Sequence, residues 1–429
     1  MIYIRAAVAV PTVANKVAPA ATLGAAILAI AMTASSARAD PLTFDGAIAR
    51  AQASAPSVRA NTLGADASRA ARGAAGALPD PKLSLGIDSF PISGPLAFKP
   101  SQDNFTWLKV GVSQDIPNPA KRRAQRARAD ADIAVADANA VLEMRNVEVG
   151  TAIAWITLAY AQKRLAAVDL VRAKLGQLVR TTPAAVASGN ARPAQTLAGR
   201  RSLAELDDRR DELVAVVGRA RAELTRWTGD PEPTTAGSAP PFVVDGSNLR
   251  ASVESNPLLA PVQARIGQAA ADIQVTEAER RSDFGVEASY MHRDPRFGDY
   301  VSAGVTISLP FFTRRRQNAL IAARQAQAGS ADAEREAARR ALAANLDAEL
   351  AEHTMHHEQW LRSRETLEPL AHERVDLETA SYAAGRASLV DVVDAHVALV
   401  DAVLTTLDRE ALVEIDGARL TLTYRSAAR

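Results

Sequence analysis

The segment VGVSQDIP, at residues 110–117, recurs in similar form as AGVTISLP at residues 303–310. The two segments lie 193 positions apart, and the same offset places the basic triplet 121–123 on the triplet 314–316. Other pairs of similar segments lie 196 and 201 positions apart, which is the drift that loop insertions produce. Self-similarity at a fixed period indicates that the chain is a duplication of one structural unit.

Apolar and small or polar side chains alternate through both segments and through their neighbours. In residues 301–309 the apolar positions alternate with Ser302, Gly304, Thr306 and Ser308. We predict four strands, at about 82–90, 105–116, 283–291 and 300–310, paired as two hairpins. Such alternation over about ten residues is typical of membrane barrel strands. An ordinary soluble sheet shows the same alternation and remains an alternative.

Aromatic residues are placed near both ends of these strands. The group beside the hairpin turns is Phe90, Phe105, Tyr290 and Tyr300, and Phe311 and Phe312 follow the other end of the last strand. Aromatic side chains are enriched at the two surfaces of a bilayer. The pattern therefore predicts two aromatic belts.

Each half of the chain has the order helix, strand, strand, long helix, turn, helix. The first half runs over 40–228 with helices at 44–75 and 119–187, a turn at 188–193 and a helix ending near 228. The second half runs over 247–429 with helices at 248–281, 313–383 and 388–422, and Pro369 is expected to kink the middle one. Residues 229–246 contain four prolines and predict a linker.

The predicted fold class is mainly α with a membrane β part, built as a duplicated helix–β-hairpin–helix unit. A helix of some 70 residues would span roughly 105 Å, which suits an elongated assembly. Four strands cannot close a membrane barrel, for which about eight is the minimum, so the chain must oligomerise. The alanine-rich helices also offer few large side chains to cover a soluble sheet.

The N-terminus has the features of a signal peptide over residues 1–39. Arg5 and Lys16 precede an uncharged apolar run at 17–33, and Ala37-Arg38-Ala39 fits the small-x-small cleavage rule. The alternative is a retained membrane anchor, although the run is short for a span. We expect an exported protein whose first mature residue is Asp40.

The composition excludes several classes of function. The 429 residues include no cysteine, which excludes disulfides, thiolate metal sites and cysteine nucleophiles. Fifty basic residues are balanced by 49 acidic ones, so there is no general reason to bind nucleic acid. Neither GxSxG nor HExxH is present, which argues against an exported hydrolase. We expect no enzyme activity and no cofactor.

Residues 382–395, YAAGRASLVDVVDA, resemble the Y-x-x-G-x-x-S/T-x-x-D-V-L-D-A segment of the TolC-type outer-membrane efflux proteins. LTFDGA at 42–47, followed by Ala55-Pro56, resembles the usual mature opening of that family. The resemblance implies a homotrimer whose twelve strands form one β-barrel in outer-membrane lipid. A periplasmic α-helical barrel would continue it, and a periplasmic adaptor and an inner-membrane transporter would dock at the far end.

The resemblance also implies site residues at the periplasmic entrance. The two aspartate rings of the family fall on Asp391 and Asp394, and the tyrosine of the closed-state latch falls on Tyr382. Residues three apart share a helix face, and rings of carboxylates in a narrow mouth attract cations. The latch's basic residue falls on Ala387, so whether Arg386 replaces it stays open. The alternative for the aspartates is a solvated helix start.

The cargo is less constrained by the sequence. DPKL at 80–83, FPI at 90–92 and residues 110–117 are similar to the heavy-metal, CzcC/CusC-like branch, which implies heavy-metal cations delivered by an RND-type transporter. His353 and His357, four residues apart, are weak candidates for a metal pair, and a solvated helix face is the alternative. Export of drugs, other organic compounds or proteins stays open. A periplasmic adaptor is a further alternative for the whole chain. Adaptors generally carry one helical hairpin flanked by Gly/Val-rich β domains, whereas this sequence has two copies of a helix–β-hairpin–helix unit.

Overall fold

The computed structural model describes residues 41–187 and 193–425. The predicted signal peptide and most of the predicted turn at 188–193 lie outside this part of the chain. Within it, four strands and nine α-helices follow in two rounds of similar order. The helices are α1 Phe44–Ser54, α2 Pro56–Ala74, α3 Pro119–Ala187, α4 Pro193–Thr228, α5 Gly246–Ser252, α6 Ala260–Ala278, α7 Gln317–Arg362, α8 Glu368–Ala383 and α9 Leu389–Tyr424.

The four strands form one antiparallel sheet in chain order. They are β1 Lys82–Asp88, β2 Trp107–Ile116, β3 Phe284–His292 and β4 Tyr300–Ile307, within three residues of the predicted bounds. The two repeats meet in the middle of this sheet, where β2 pairs with β3 and Val110 lies opposite Tyr290. The outer edges, on β1 and β4, have no strand partner among the described residues.

The register collects the apolar side chains of all four strands on one face. Residues directly opposite each other on neighbouring strands point to the same side of the sheet. Each row of opposed residues across the four strands therefore contains either mainly apolar or mainly small and polar side chains. One row runs through Leu85, Val110, Tyr290 and Val301, and the row beside it on the other face runs through Ser84, Gly111, Ser289 and Ser302. We call these the apolar face and the polar face.

Neither face is packed against a core. On the apolar face, Leu85 is 70% exposed and Val305 is 69% exposed. Every residue of β1 is exposed, and β4 has a single half-buried position. A soluble sheet covers its apolar face with helices or a second sheet, so this one needs a cover from outside the chain.

One aromatic residue does not lie where the sequence pattern placed it. Tyr300 begins β4 one position before Val301, so the two-residue period puts it on the polar face. There it packs edge to face with Trp107, with ring centroids 6.4 Å apart. The predicted aromatic belt beside the turns is therefore wrong for Tyr300, whereas Tyr290 is on the apolar face.

The helices form long, thin layers around α3, whose 69 residues span about 100 Å. The main core lies near the middle of α3, where Trp155 is buried and donates from Nε1 to the Leu42 carbonyl at 2.8 Å. Small side chains on α3, among them Ala152 and Ala161, are fully buried and let neighbouring helices approach closely. Among the described residues, no helix has the length and apolar character needed to cross a bilayer.

The segment between the repeats is anchored on this core. Leu42 donates its N–H to the Thr234 carbonyl at 2.7 Å, and Ala236 donates back to the Leu42 carbonyl at 3.0 Å. Phe242 meets Phe44 edge to face with ring centroids 5.8 Å apart. The segment at 229–246 therefore connects the two repeats as an ordered linker that packs against the helical core.

Prolines account for most departures from the predicted helices. The helix predicted at 44–75 is interrupted at Ala55, which is extended because Pro56 follows it. The prediction for 248–281 is wrong in its first part, where α5 gives way to 3₁₀ turns at Val253–Ser255 and Pro257–Leu259 before α6.

The long helix predicted at 313–383 begins at Gln317 and is divided just before Pro369. A π-helical turn at Ser363–Leu367 separates α7 from α8. Proline cannot donate a backbone hydrogen bond, and a π turn is one way to accommodate the loss. Arg409 of α9 donates to the Gln359 carbonyl at 3.2 Å and to the Ser363 hydroxyl, so the turn is held by its neighbour.

Candidate functional site

The predicted site lies where α8 turns into α9. Gly385 adopts a φ of +72°, which a glycine tolerates without strain. Arg386 donates its backbone N–H to the Ser381 carbonyl at 2.8 Å, and Gly385 donates to the Tyr382 carbonyl at 3.0 Å. These bonds satisfy the last carbonyls of α8, so the chain reverses within a few residues.

Asp391 is part of the start of α9. Its Oδ2 accepts hydrogen bonds from the Ser388 backbone N–H at 2.8 Å and from the Ser388 hydroxyl at 2.7 Å. The two residues form a reciprocal capping box, since Asp391 donates its own N–H to Ser388 Oγ. The hydroxyl and then the backbone N–H of Ser388 lower the pKa of the Asp391 carboxyl.

Asp394, unlike Asp391, takes no part in capping the start of α9. It is exposed, like Asp391, while Val392, Val393 and Ala395 on the other side of the helix are buried. No ion pair or hydrogen bond to its side chain is found in the described part of the chain. The structure therefore places both carboxylates on one outward face, with Asp391 engaged at the cap and Asp394 available to solvent or to another chain.

Two further aspartates continue the line of Asp394 along α9. Asp401 forms an ion pair with Arg209 of α4, and Asp408 forms one with Arg164 of α3. Both pairs join the second repeat to the first on the side of the helical hairpins. The sequence reasoning missed these residues, although the seven-residue spacing of Asp394, Asp401 and Asp408 is a visible signal of one helix face.

Tyr382 packs into the core of the hairpins. It is half-buried against a cluster that includes Val168 and Leu175 of α3 and Leu389 and Val393 of α9. Arg386 is exposed, and Ala387 occupies the position where the resemblance expects a basic residue. Within the described residues, neither the Tyr382 hydroxyl nor the Arg386 guanidinium has a polar partner, so no latch is made inside one chain.

A histidine lies close to the two aspartates. His396 is half-buried, and its Nδ1 atom is buried without a hydrogen-bond partner in the described residues. Burial, followed by the nearby charge of Lys174 on α3, lowers the pKa of His396. The packed state of this hairpin thus favours a neutral imidazole.

The weak metal candidates are not assembled into a site. The rings of His353 and His357 lie 6.2 Å apart between centroids, and burial lowers the pKa of His353. Their neighbour His356 instead bonds to the buried Asp416 at 2.7 Å. No group of three or more His, Cys, Asp or Glu side chains in the described ranges is arranged to hold a metal ion.

Comparisons with known proteins agree with this architecture. The family model described as "Outer membrane efflux protein" matches residues 248–423. A membrane protein from Pseudomonas aeruginosa has a similar structure, with a TM-score of 0.75 at 15% identity over 90% of each chain. No curated protein matches the sequence.

Two other solved structures have the same fold. CusC superposes with a TM-score of 0.73 at 13% identity, over 90% of this chain and 92% of CusC. The Campylobacter jejuni CmeC outer membrane channel gives 0.71 at 11% identity, over 89% of this chain and 85% of CmeC. At these identities the likeness concerns the fold: long helices with a small antiparallel sheet.

The family match bears on the interpretation of residues 382–395, which lie inside the matched range and carry the resemblance noted in the sequence. The resemblance and the location that it implies are both confirmed by that match. The second half of this chain, residues 248–423, matches the model of the outer membrane efflux protein family, which agrees with a location in the outer membrane.

Proposed function

We propose that the chain is the outer-membrane channel of a tripartite efflux system and conducts its cargo passively. The observation that carries this proposal is the sheet with one continuous, uncovered apolar face. Exposed apolar surface costs roughly 25 cal/mol per Å² in water, so a face of this size requires a cover. The acyl chains of a bilayer provide one, while the polar face would line a water-filled passage.

The two unpaired sheet edges support a homotrimer. An unpaired strand edge in a membrane leaves backbone groups without partners, which is costly where no water is present. Pairing β4 of one copy with β1 of the next would remove all edges. Three copies of the four strands give the twelve-stranded barrel, and α3 with α7 and α8 would continue it as a helical barrel into the periplasm.

The periplasmic entrance is proposed at the start of α9. Three copies of Asp394 would form a ring of carboxylates, and three copies of Asp391 would form a second ring nearer the tip. Because Ser388 already holds Asp391, Asp394 is the better candidate for direct contact with passing cations. Tyr382 is proposed to act at the closed state through contacts with a neighbouring subunit.

A periplasmic adaptor and an inner-membrane RND-type transporter are the proposed partners, and the transporter supplies the energy. The channel needs no catalytic residue for this role, and we assign it no enzyme activity.

Heavy-metal cations are the proposed cargo. This choice is supported by the acidic entrance and by the similarity of three segments, residues 80–83, 90–92 and 110–117, to the heavy-metal branch of the family. Drugs, other organic compounds or proteins are the alternative cargo. An adaptor role is disfavoured by the two strand hairpins joined in a single sheet.

Purified protein in planar bilayers tests the channel proposal. We expect detergent-solubilised trimers that insert and conduct, with a preference for cations. A water-soluble monomer that never conducts would contradict the channel proposal.

The cargo is tested in cells that express the protein together with its native transporter. These cells should accumulate less metal than cells expressing the D394N variant, and drug susceptibility is measured in parallel. A change in drug susceptibility alone would favour the alternative cargo.

A further inference from the structure

The connections between sheet and helices all lie at one end of the sheet. β1 and β3 start at this end, and β2 and β4 finish at it. The four connecting segments, 75–81, 117–123, 279–283 and 308–316, contain eight basic and three acidic residues. The loops at the opposite end, 89–106 and 293–299, contain three of each. The charge of the two ends is therefore strongly unequal.

The opposite end uses most of its basic residues internally. Arg293 is 8% exposed and donates to the Asn104 side chain at 2.6 Å, to the Gly298 carbonyl at 2.6 Å and to the Tyr300 hydroxyl at 2.7 Å. Arg296 pairs with Asp294 at 2.8 Å. These contacts tie the two hairpin loops together and leave little free positive charge there.

At the helix end, two of the three basic residues of the first repeat, Lys121 and Arg122, are also used internally, whereas Arg123 is exposed. Lys121 pairs with Asp283 at 3.3 Å, and Arg122 donates to the Gly76 carbonyl at 2.8 Å. Their counterparts in the second repeat are Arg314, Arg315 and Arg316, which we call the arginine triplet. All three are exposed, and no side-chain hydrogen bond or ion pair is found for them within the described residues.

The arginine triplet directly follows a strongly exposed apolar pair. Phe311 is 77% exposed and Phe312 is 79% exposed, and Leu309, at the end of the apolar face, is 58% exposed. Aromatic side chains followed at once by cationic ones are the pattern of a segment that crosses from acyl chains to headgroups. Guanidinium groups also match the geometry of phosphate, which they bind through paired hydrogen bonds.

We propose that Phe311, Phe312 and the arginine triplet form a binding site for the phosphate headgroups of anionic phospholipids in the periplasmic leaflet. This inference rests on the proposed membrane channel, because it requires the helix end of the sheet to face the periplasm. The free positive charge selects this leaflet, since the opposite end is balanced. Three copies in a trimer would place nine guanidinium groups around the barrel at one level.

The experiment uses native mass spectrometry of the purified trimer with phosphatidylglycerol and phosphatidylcholine of identical acyl chains. The variant R314Q/R315Q/R316Q removes the charge and keeps side-chain length. R59Q/R219Q/R265Q is the matched control, since it removes three exposed arginines that also lack side-chain partners and lie on α2, α4 and α6. We expect wild type and control to retain phosphatidylglycerol over phosphatidylcholine by on the order of tenfold, and the triplet variant to lose this preference.

Three outcomes would overturn the site. Wild-type trimers without a headgroup preference would do so, and so would a triplet variant that keeps the wild-type preference. A triplet variant that no longer forms trimers would show that the arginines pair with a second copy of the chain. Raising the salt concentration should weaken the wild-type preference, because the proposed contact is electrostatic. Wild-type protein that neither trimerises nor enters a bilayer would instead contradict the channel proposal itself.

Discussion

Asp401 of α9 pairs with Arg209 of α4, across the boundary between the two repeats. The two residues are 192 positions apart in sequence. Seven residues further along α9, Asp408 forms an ion pair with Arg164 of α3 in the same way. Both contacts connect α9 to helices of the first repeat. A channel that opens by moving the α8–α9 hairpin outward would have to break them.

We predict that R209A and R164A favour the open channel. An ion pair near the protein surface stabilises by about 0.2–1 kcal/mol, so single variants should raise the open probability modestly and the double variant more strongly. Single-channel recordings in planar bilayers measure this. R201A is the control, because Arg201 pairs with Glu205 inside α4 at 2.8 Å and bridges no repeats. Equal effects of the control and the double variant would contradict the assignment.

The two entrance aspartates should differ in their effects. D394N should lower the preference for cations over anions, since Asp394 has no internal partner. D391N should fray the start of α9, because the capping box with Ser388 would be weakened. Reversal potentials in a salt gradient report the first effect, and hydrogen exchange of residues 389–394 reports the second.

D376N is a suitable control for both measurements, since Asp376 is exposed on α8 away from the cap. Unchanged selectivity in D394N, with a normal hairpin, would remove the proposed carboxylate ring.

The assignment of the sheet faces can be tested with two adjacent positions on β4. Val305 is on the apolar face and Thr306 on the polar face, and both are exposed. An arginine in the middle of a lipid-facing surface costs about 2–4 kcal/mol, whereas one in a water-filled lumen costs little. V305R should therefore reduce insertion into vesicles far more than T306R. Equal insertion of the two variants would contradict the lipid-facing assignment.

Acidification should loosen the tip of α9 through His396. Its folded-state pKa lies below the ordinary value of 6.5, so the unfolded state binds a proton first as the pH falls. The folded hairpin therefore loses stability as the pH drops below about 6.5 towards the folded pKa. Hydrogen exchange of residues 389–400 at pH 7.5 and 5.5 should show this in wild type and less in H396Q. H372Q, at an exposed histidine of α8, should behave as wild type.

The sequence predicted those parts of the fold that depend on local periodicity. The two-residue alternation located all four strands and separated their faces, and the long helix predicted at 119–187 is observed over the same residues. The Ser388-x-x-Asp391 spacing of a capping box is also visible in the sequence, within the segment whose family resemblance implies the entrance site.

Contacts that join distant residues could not be predicted in this way. Nothing near Asp401 or Asp408 indicates that their arginines lie on the other repeat. The same holds for the support of the π turn by Arg409, whose partner Gln359 is 50 positions away. Tyr300 was misplaced because a shift of one residue at the strand start exchanges the two faces.

The central claim is that three copies close their sheets edge to edge, and disulfide cross-linking between β1 and β4 tests it most directly. The chain contains no cysteine, so only introduced pairs can react. Ser84→Cys on β1 would be combined in turn with Ser302→Cys, Gly304→Cys or Thr306→Cys on β4, all on the polar face. Neighbouring antiparallel strands bring Cα atoms to about 5.5 Å, within disulfide reach. We predict that at least one combination gives a covalent trimer in membranes; membrane-inserted protein that remains monomeric in all three combinations would contradict the account.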